Sequence, residues 1–264
     1  MLIAVLIKEV PDTETRFKIE GGRIDYSGVK FVINPYDEYA YEEAVRIKER
    51  LGEDQVKVVA ILAGSREESA KNLLNVLAVG VDEAIHILDP ALEGLDPLGA
   101  AKVLKVVLDE LKPDLILAGK QGVDYDYGQT PAVLAGMMNL PYLGPIAKLE
   151  LEDGAAVVEL HSEVGVEVHR LPLPCILSCD KALNEPRYPN LKGIMGAKKK
   201  PQQRKTLADL GIDPSSVGAQ GRLIEYLSFA PPPERKPGVI IEGASVEEKV
   251  EKLVKLLHEE AKVI

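Results

Sequence analysis

Short unbroken apolar runs alternate with stretches of helical spacing, and this alternation organises the first half of the chain. Leu2–Ile7 is a continuous β-favouring run, as expected of a parallel strand buried on both faces, and Pro11 stops it soon after. Phe17–Ile19 and Val29–Ile33 flank Gly21-Gly22 and predict a small hairpin excursion. Asn34-Pro35 then suits a helix N-cap with proline at the first helical position. The helix predicted over 37–50 places Tyr39, Ala40, Ala44, Ile47 and Leu51 at helical spacing. The same alternation repeats: a strand over 55–62 leaving through Ala63-Gly64-Ser65, a helix through Leu77, a strand over 84–88, a helix over 97–111, and a strand at Leu115-Ile116-Leu117. Strand–helix repetition of this kind predicts an α/β fold with a doubly wound, mostly parallel sheet.

From Ala147 the pattern changes. Segments 147–151 and 156–160 flank Asp153-Gly154, a hairpin signal, and strands over 164–171 and 175–178 follow. This half is expected to complete the sheet with antiparallel strands, so that residues 1–180 form one core. Residues 181–205 are rich in proline and glycine and cannot be a regular helix throughout. Residues 206–238 lack firm periodicity and predict an extended arm of the kind that packs on another subunit. A last helix is predicted over 246–261, with Ser245 and Glu248 as a capping box and Val250, Leu253, Val254 and Leu257 as its apolar stripe. Residues 206–264 thus read as a C-terminal arm and helix.

The stretch with the most chemistry is the exit from the strand at 115–117. Gly119 breaks the strand, and the loop to Thr130 is polar, glycine-punctuated and acidic; Pro131 then opens a helix. Strand, loop and helix N-terminus is the arrangement in which open α/β sheets bind nucleotides, because backbone N–H groups and the helix dipole face an anion. The residues alone also allow an acidic surface loop without a ligand. Asp124 and Asp126 could ligate Mg²⁺ or act as an acid–base pair, but no second group of acids or histidines completes such a site, and loop shaping is the favoured role. No nucleophile elbow, H-E-x-x-H, phosphate-binding G-x-x-x-x-G-K-[ST] or dinucleotide fingerprint occurs. His161 and His169 read as structural or solvent-facing.

Composition narrows the function. A net charge of −10 argues against nucleic-acid binding, and aromatic residues at 5% with no Trp leave no stacking platform for single strands. Cys175 and Cys179 sit inside an apolar strand, which favours buried thiols and a reducing, cytoplasmic setting over a disulfide or metal site. The apolar N-terminus is too short to span a membrane and lacks signal-peptide features. Within 181–205, Leu191, Ile194 and Met195 stand among glycines and lysines, followed by Lys198, Lys199 and Lys200. An apolar anchor ringed by cations suits docking to an acidic partner; a solvated loop is the alternative.

Three stretches together resemble one family closely: Asn34–Ala40 with Glu42-Glu43-Ala44, the loop Gly119–Thr130, and Leu183–Leu191 with Ile194-Met195 and the lysines. The chain is similar throughout to the β (small) subunit of electron transfer flavoprotein. The resemblance implies an adenine-nucleotide α-hydrolase-like fold. It also implies a heterodimer in which a larger α subunit holds the redox FAD while this subunit closes over it and binds a structural AMP. Carried over residue by residue, Leu6, Asn34, Pro35, Tyr36, Asp37 and Ala63 would line the AMP pocket with Gly119, Lys120, Gln121, Gly122, Val123, Asp124, Tyr125, Asp126, Tyr127, Gly128, Gln129 and Thr130. Gln129, Thr130 and the loop amides would hold the phosphate, and Asn34 and residues near Leu6 would face the adenosine. Segment 184–200 matches the recognition loop: Leu191 is the anchor, beside Ile194 and Met195, with Lys198 and Lys199 suited to steering.

The implied partners are the α subunit, acyl-CoA or other dehydrogenases as donors, as in fatty acid oxidation, and a membrane quinone oxidoreductase or ferredoxin-type acceptor. Neither nucleic-acid binding nor direct membrane insertion is expected, and the subunit is an electron carrier, not an enzyme. One departure matters. Val10-Pro11-Asp12-Thr13 replaces the aromatic that mitochondrial-type members place near the flavin, and resembles the bifurcating branch, whose β subunit holds a second FAD in place of AMP. Gln129-Thr130-Pro131 and Asn184–Arg187 resemble the AMP branch, which is favoured. A stand-alone adenine-nucleotide-binding regulator is the alternative from another class; the arm and anchor argue against it because both expect a partner.

Overall fold

The computed structural model describes residues 1–234 and 237–264. In chain order the strands and helices are β1 (Leu2–Ile7), β2 (Glu9–Pro11), β3 (Lys18–Glu20), β4 (Arg23–Asp25), β5 (Phe31–Ile33), α1 (Pro35–Leu51), β6 (Lys57–Gly64), α2 (Ser69–Val79), β7 (Glu83–Leu88), α3 (Pro97–Leu111), β8 (Leu115–Gly119) and α4 (Thr130–Met138). They continue as β9 (Tyr142–Ile146), β10 (Lys148–Glu152), β11 (Ala155–Ser162), β12 (Gly165–Pro172), β13 (Cys175–Cys179), α5 (Leu191–Ala197), β14 (Gln202–Lys205), α6 (Gly218–Gly221) and α7 (Val246–Glu259). The chain divides into one compact unit of residues 1–18 and 24–227 and a second of residues 19–23 and 228–264.

The first unit is built on a seven-stranded sheet in the order β14-β7-β6-β1-β8-β13-β9, and every pairing in it is parallel. The expected α/β doubly wound architecture is therefore what forms. β7, β8 and β13 are buried along their whole length, as strands covered by helices on both faces must be. Strand alternation sends Ile3, Val5 and Ile7 to one face, where Ala40, Tyr41, Ala44 and Ile47 of α1 and Leu73 and Leu77 of α2 cover them. Ala4 and Leu6 face the other way, toward Val103, Leu104 and Val107 of α3 and Leu134 of α4. The chain steps from β1 to β6 and β7, then returns to the far side of β1 as β8. Such a reversal is where open α/β sheets place a ligand crevice, here between the carboxyl ends of β1 and β8.

Three expectations are corrected. First, residues 147–180 do not complete the sheet with antiparallel strands. β10, β11 and β12 form their own three-stranded antiparallel sheet, turning at Asp153 (φ 47°) and Gly154 (φ 72°), while β13 enters the central sheet parallel to β8. Second, the early excursion pairs differently: β3 and β4 form the hairpin about Gly21-Gly22, and β5 pairs with β2. Third, the arm is not extended from residue 206. Leu207, Leu210 and Val217 are buried in the α3–α4 face of the core, so the chain stays with the first unit to Leu227.

In the second unit, α7 ends at Glu259, two residues short of the expected end. Its cap is a variant of the expected box: Glu248 N–H donates to Ser245 Oγ, and Glu248 Oε2 accepts from Ala244 N–H instead of Ser245 N–H. None of its residues is buried, and Val250, Leu253 and Val254 present an exposed apolar stripe. Among the described residues no helix is long and apolar enough to cross a membrane.

This division predicts unequal effects of truncation. Leu207→Ala removes a fully buried side chain and should cost about 2–5 kcal/mol, lowering the melting temperature by roughly 5–15 °C. Val254→Ala, on the exposed stripe, should shift the melt of the isolated chain by no more than about 2 °C. Calorimetry of the two variants checks both.

Candidate functional site

The crevice is fixed by two side chains at the start of α1. Asp37 is buried and accepts three hydrogen bonds: from Lys8 N–H at the end of β1 (2.7 Å), from Gly119 N–H at the end of β8 (3.1 Å) and from the Asn34 amide (2.9 Å). Asn34 has proline after it, as the N-cap pattern requires, but its side chain makes no cap hydrogen bond. Its amide instead spans the loop, donating to Asp37 and to Gln121 O (2.9 Å) and accepting from Val123 N–H (3.1 Å). One buried pair thus ties both strand exits and the loop to one helix. Gly119 is obligatory here, because an added Cβ would collide with the Asp37 carboxylate and lie 2.7 Å from the Tyr36 carbonyl carbon.

Beyond Gly119 the loop closes on itself. Asp124 pairs with Lys8 Nζ at 2.6 Å, and Asp126 accepts from Gln121 Nε2 at 2.6 Å while its backbone adopts a left-handed conformation (φ 54°). Each acid is thus held in a bond within the protein, Asp124 to Lys8 and Asp126 to Gln121. Lys120 reaches Asp180 at the end of β13 (3.2 Å) and lies over the Tyr36 ring. Tyr125 stacks on Tyr127 and on Tyr226, and the hydroxyls of Tyr127 and Tyr226 are 2.5 Å apart.

The loop delivers the chain to α4. Gln129 precedes the helix without a side-chain cap, Pro131 occupies its first turn, and no acid stands there. By helix geometry, the N–H groups of Thr130 and Ala132 have no intrahelical acceptor. An uncapped, acid-free helix N-terminus beside a strand exit is the kind of position whose partial positive charge favours an anion.

The structure brings Asn34, Asp37, Gly119, Gln121, Val123 and Asp124 together, with Pro35, Tyr36 and Lys120 along one side and Asp126 to Thr130 leading to the helix. Leu6 and Ala63 stand at the ends of neighbouring strands, but the Leu6 side chain is only 6% exposed and packs in the core. The Asn34 amide is consumed by the protein, so its visible work is to hold the loop. Lys8 and Tyr226 are site residues that the sequence reading missed. Lys8 carried a signal, since it follows β1 directly; Tyr226 carried none, since nothing local links it to a loop 99 residues away.

The large apolar residues of the segment 184–200 are exposed. Leu191, Ile194 and Met195 lie on α5 with 75%, 50% and 70% exposure. Lys198 and Lys199 are exposed, whereas Lys200 is not a free cation: its ammonium caps α2 by donating to Leu77 O (2.8 Å) and Val81 O (2.6 Å).

Burial pushes the Asp37 carboxyl up to about 7 against the pull of its three donors. The folded state therefore holds a proton there between roughly pH 4 and 7 that the unfolded chain releases. Stability from this group is full at the acid end of that window and falls as pH rises through 7, by at most about 1.4 kcal/mol per pH unit. Asp37→Asn cannot titrate and should be less stable throughout. The stability gap between parent and variant in chemical denaturation should be widest near pH 4–5, shrink toward pH 7 and stay flat above.

Comparison with known proteins shows the family. The model of the electron transfer flavoprotein domain matches residues 22–210. The chain is 38% identical to electron transfer flavoprotein subunit beta of Bacillus subtilis (strain 168) over 265 residues, covering 100% of both chains. It is 36% identical to the subunit beta of Dictyostelium discoideum over 255 residues, 96% of this chain and 97% of that one. To the mitochondrial subunit beta of Oryza sativa subsp. japonica it is 36% identical over 269 residues, 100% of both. With a family model over most of its length and full-length similarity to several subunits beta, the chain belongs to the electron transfer flavoprotein β-subunit family.

Proposed function

We propose that this subunit binds one AMP in the crevice between β1 and β8, pairs with an α subunit that holds the FAD, and docks electron-donating dehydrogenases through α5. The observation that carries the nucleotide reading is the uncapped, acid-free start of α4 at the end of a loop pinned to both strand exits. The residues fit an adenylate: the N–H groups of Thr130 and Ala132 would hold its phosphate with the Thr130 and Gln129 side chains, and Ala63 and the β1 exit would border the adenosine. The nucleotide's role there would be structural. FAD, held mainly by the α subunit, supplies the acceptance and release of one or two electrons. This chain's part is to shape the assembly and present the docking surface.

An AMP site agrees with the Gln129-Thr130-Pro131 sequence at the head of α4. The second reading, favoured by Val10-Pro11-Asp12-Thr13, is a bifurcating-type subunit with a second FAD in the same crevice. The docking reading rests on three apolar side chains left in solvent beside exposed lysines, an arrangement that suits a partner with an apolar socket and acidic rim. A membrane quinone oxidoreductase or a ferredoxin-type protein is the proposed acceptor.

Co-expression with the α subunit and counting of released cofactors tests the first part. One FAD and one AMP per heterodimer is the expected result; two FAD and no AMP would replace it with the bifurcating reading. Leu191→Ala should slow reduction of the heterodimer by an acyl-CoA dehydrogenase at least tenfold with both cofactors retained. An unchanged rate would remove Leu191 from the docking surface.

A further inference from the structure

Seven residues are too few to hold a helix in water, yet α5 stands formed with its apolar side chains outward. The helix itself packs on α2, and the segment that leads into it, residues 184–187, is tied to α1. The Arg187 guanidinium forks between two carboxylates. Nε and Nη2 donate to Glu42 (3.0 and 2.9 Å), Nη1 and Nη2 donate to Glu49 (2.5 and 2.9 Å), and the Arg187 backbone N–H adds a bond to Glu42 (3.2 Å). Glu42 is 1% exposed. Arg46 joins it from one turn along, donating to Glu42 (2.7 Å) and to the Glu185 carbonyl (2.9 Å). Asn184, also buried, donates to Tyr39 O (3.0 Å) and Glu43 (3.2 Å).

We infer that Arg187, clasped between Glu42 and Glu49, is a positioning residue that holds α5 in its docking-ready form before any dehydrogenase arrives. The inference rests on the docking reading given above and adds how the surface is prepared. Burial of a carboxylate is costly unless it is paired and hydrogen-bonded, and a lone surface ion pair would hold little. Here an almost fully buried Glu42 shares two guanidinium groups, one of which forks to a second acid. A fork of this kind fixes direction as well as distance. Burial alone would raise the Glu42 carboxyl, but Arg187 and Arg46 hold it below the usual range.

The helix itself is seated on α2. Asn190 caps it by accepting from Gly193 N–H (2.8 Å), and Gly193 packs on the Ala78 carbonyl so closely that an added Cβ would collide with it. Ala197 is buried and Lys200 is bonded to the end of α2. The docking face is therefore set between two fixed ends, and the ordering entropy of its backbone is met in folding instead of in the encounter. The occupant this favours is the proposed donor dehydrogenase, presenting an apolar socket for Leu191 and Met195 and acidic groups for Lys198 and Lys199.

The test uses the co-expressed heterodimer with Arg187→Lys, which keeps the charge but loses the fork, and Glu49→Gln, a milder change at a half-exposed acid. Hydrogen exchange by mass spectrometry reads the order of residues 191–198, and acyl-CoA dehydrogenase-driven reduction reads docking. Both variants should exchange these amides at least tenfold faster and raise the apparent KM for the dehydrogenase several-fold, with kcat within about twofold and AMP and FAD retained. Unchanged exchange in both variants overturns the clasp. Faster exchange with wild-type KM, while Leu191→Ala is slow, overturns the positioning role alone. If Leu191→Ala also behaves as wild type, the docking reading fails and this inference fails with it.

Discussion

A buried carboxylate that must be satisfied is the constraint on which the nucleotide crevice depends. Asp37 is buried in the first turn of α1, and its three donors come from the end of β1, the end of β8 and Asn34. Leaving any of them unpaired would cost more than the bond contributes when made. The strand exits and the loop are therefore held at one separation. Sheet order places the crevice between β1 and β8; Asp37 and Asn34 decide its walls. The loop's own ion pair and tyrosine stack then carry the chain to a helix start left open for an anion.

Helix α1 serves both functional surfaces. Its first turn ties the crevice, and its middle turns, through Glu42, Glu43, Arg46 and Glu49, tie the segment that leads to α5. Most of its acids are partnered within the fold, which explains how a chain of net charge −10 keeps a helix so rich in carboxylates packed on an apolar sheet. The lysines of 198–200 divide by the same logic. Lys200 is consumed by the carbonyls at the end of α2, while Lys198 and Lys199 stay in solvent.

Much of this was legible in the sequence where local rules decide the outcome. The run Leu2–Ile7 and the helix over 97–111 appear with the predicted bounds, because burial on both faces and helical spacing each leave a periodic trace. Pairing direction leaves none, so Cys175–Cys179 could be recognised as a strand but not as a parallel one. Leu207, Leu210 and Val217 lie in a stretch without periodicity, and their burial is decided by α3 and α4. Asn34 matched the N-cap rule, yet two of its bonds go to residues 87 and 89 positions away. The Arg187 clasp spans 138 and 145 positions to Glu49 and Glu42 and has no local signature. In each case distant parts of the chain overrode or supplied what local pattern could not.

The central claim is that the crevice fixed by Asp37 and Asn34 seats an adenylate with its phosphate at the start of α4. A structure of the co-purified heterodimer tests it most directly. The account predicts one adenine nucleotide between β1 and β8, its phosphate within hydrogen-bond distance of Thr130 and Ala132 N–H, with the Asp37 bonds to Lys8 and Gly119 intact. A phosphate seated away from α4, or a crevice closed over with no nucleotide, would contradict it.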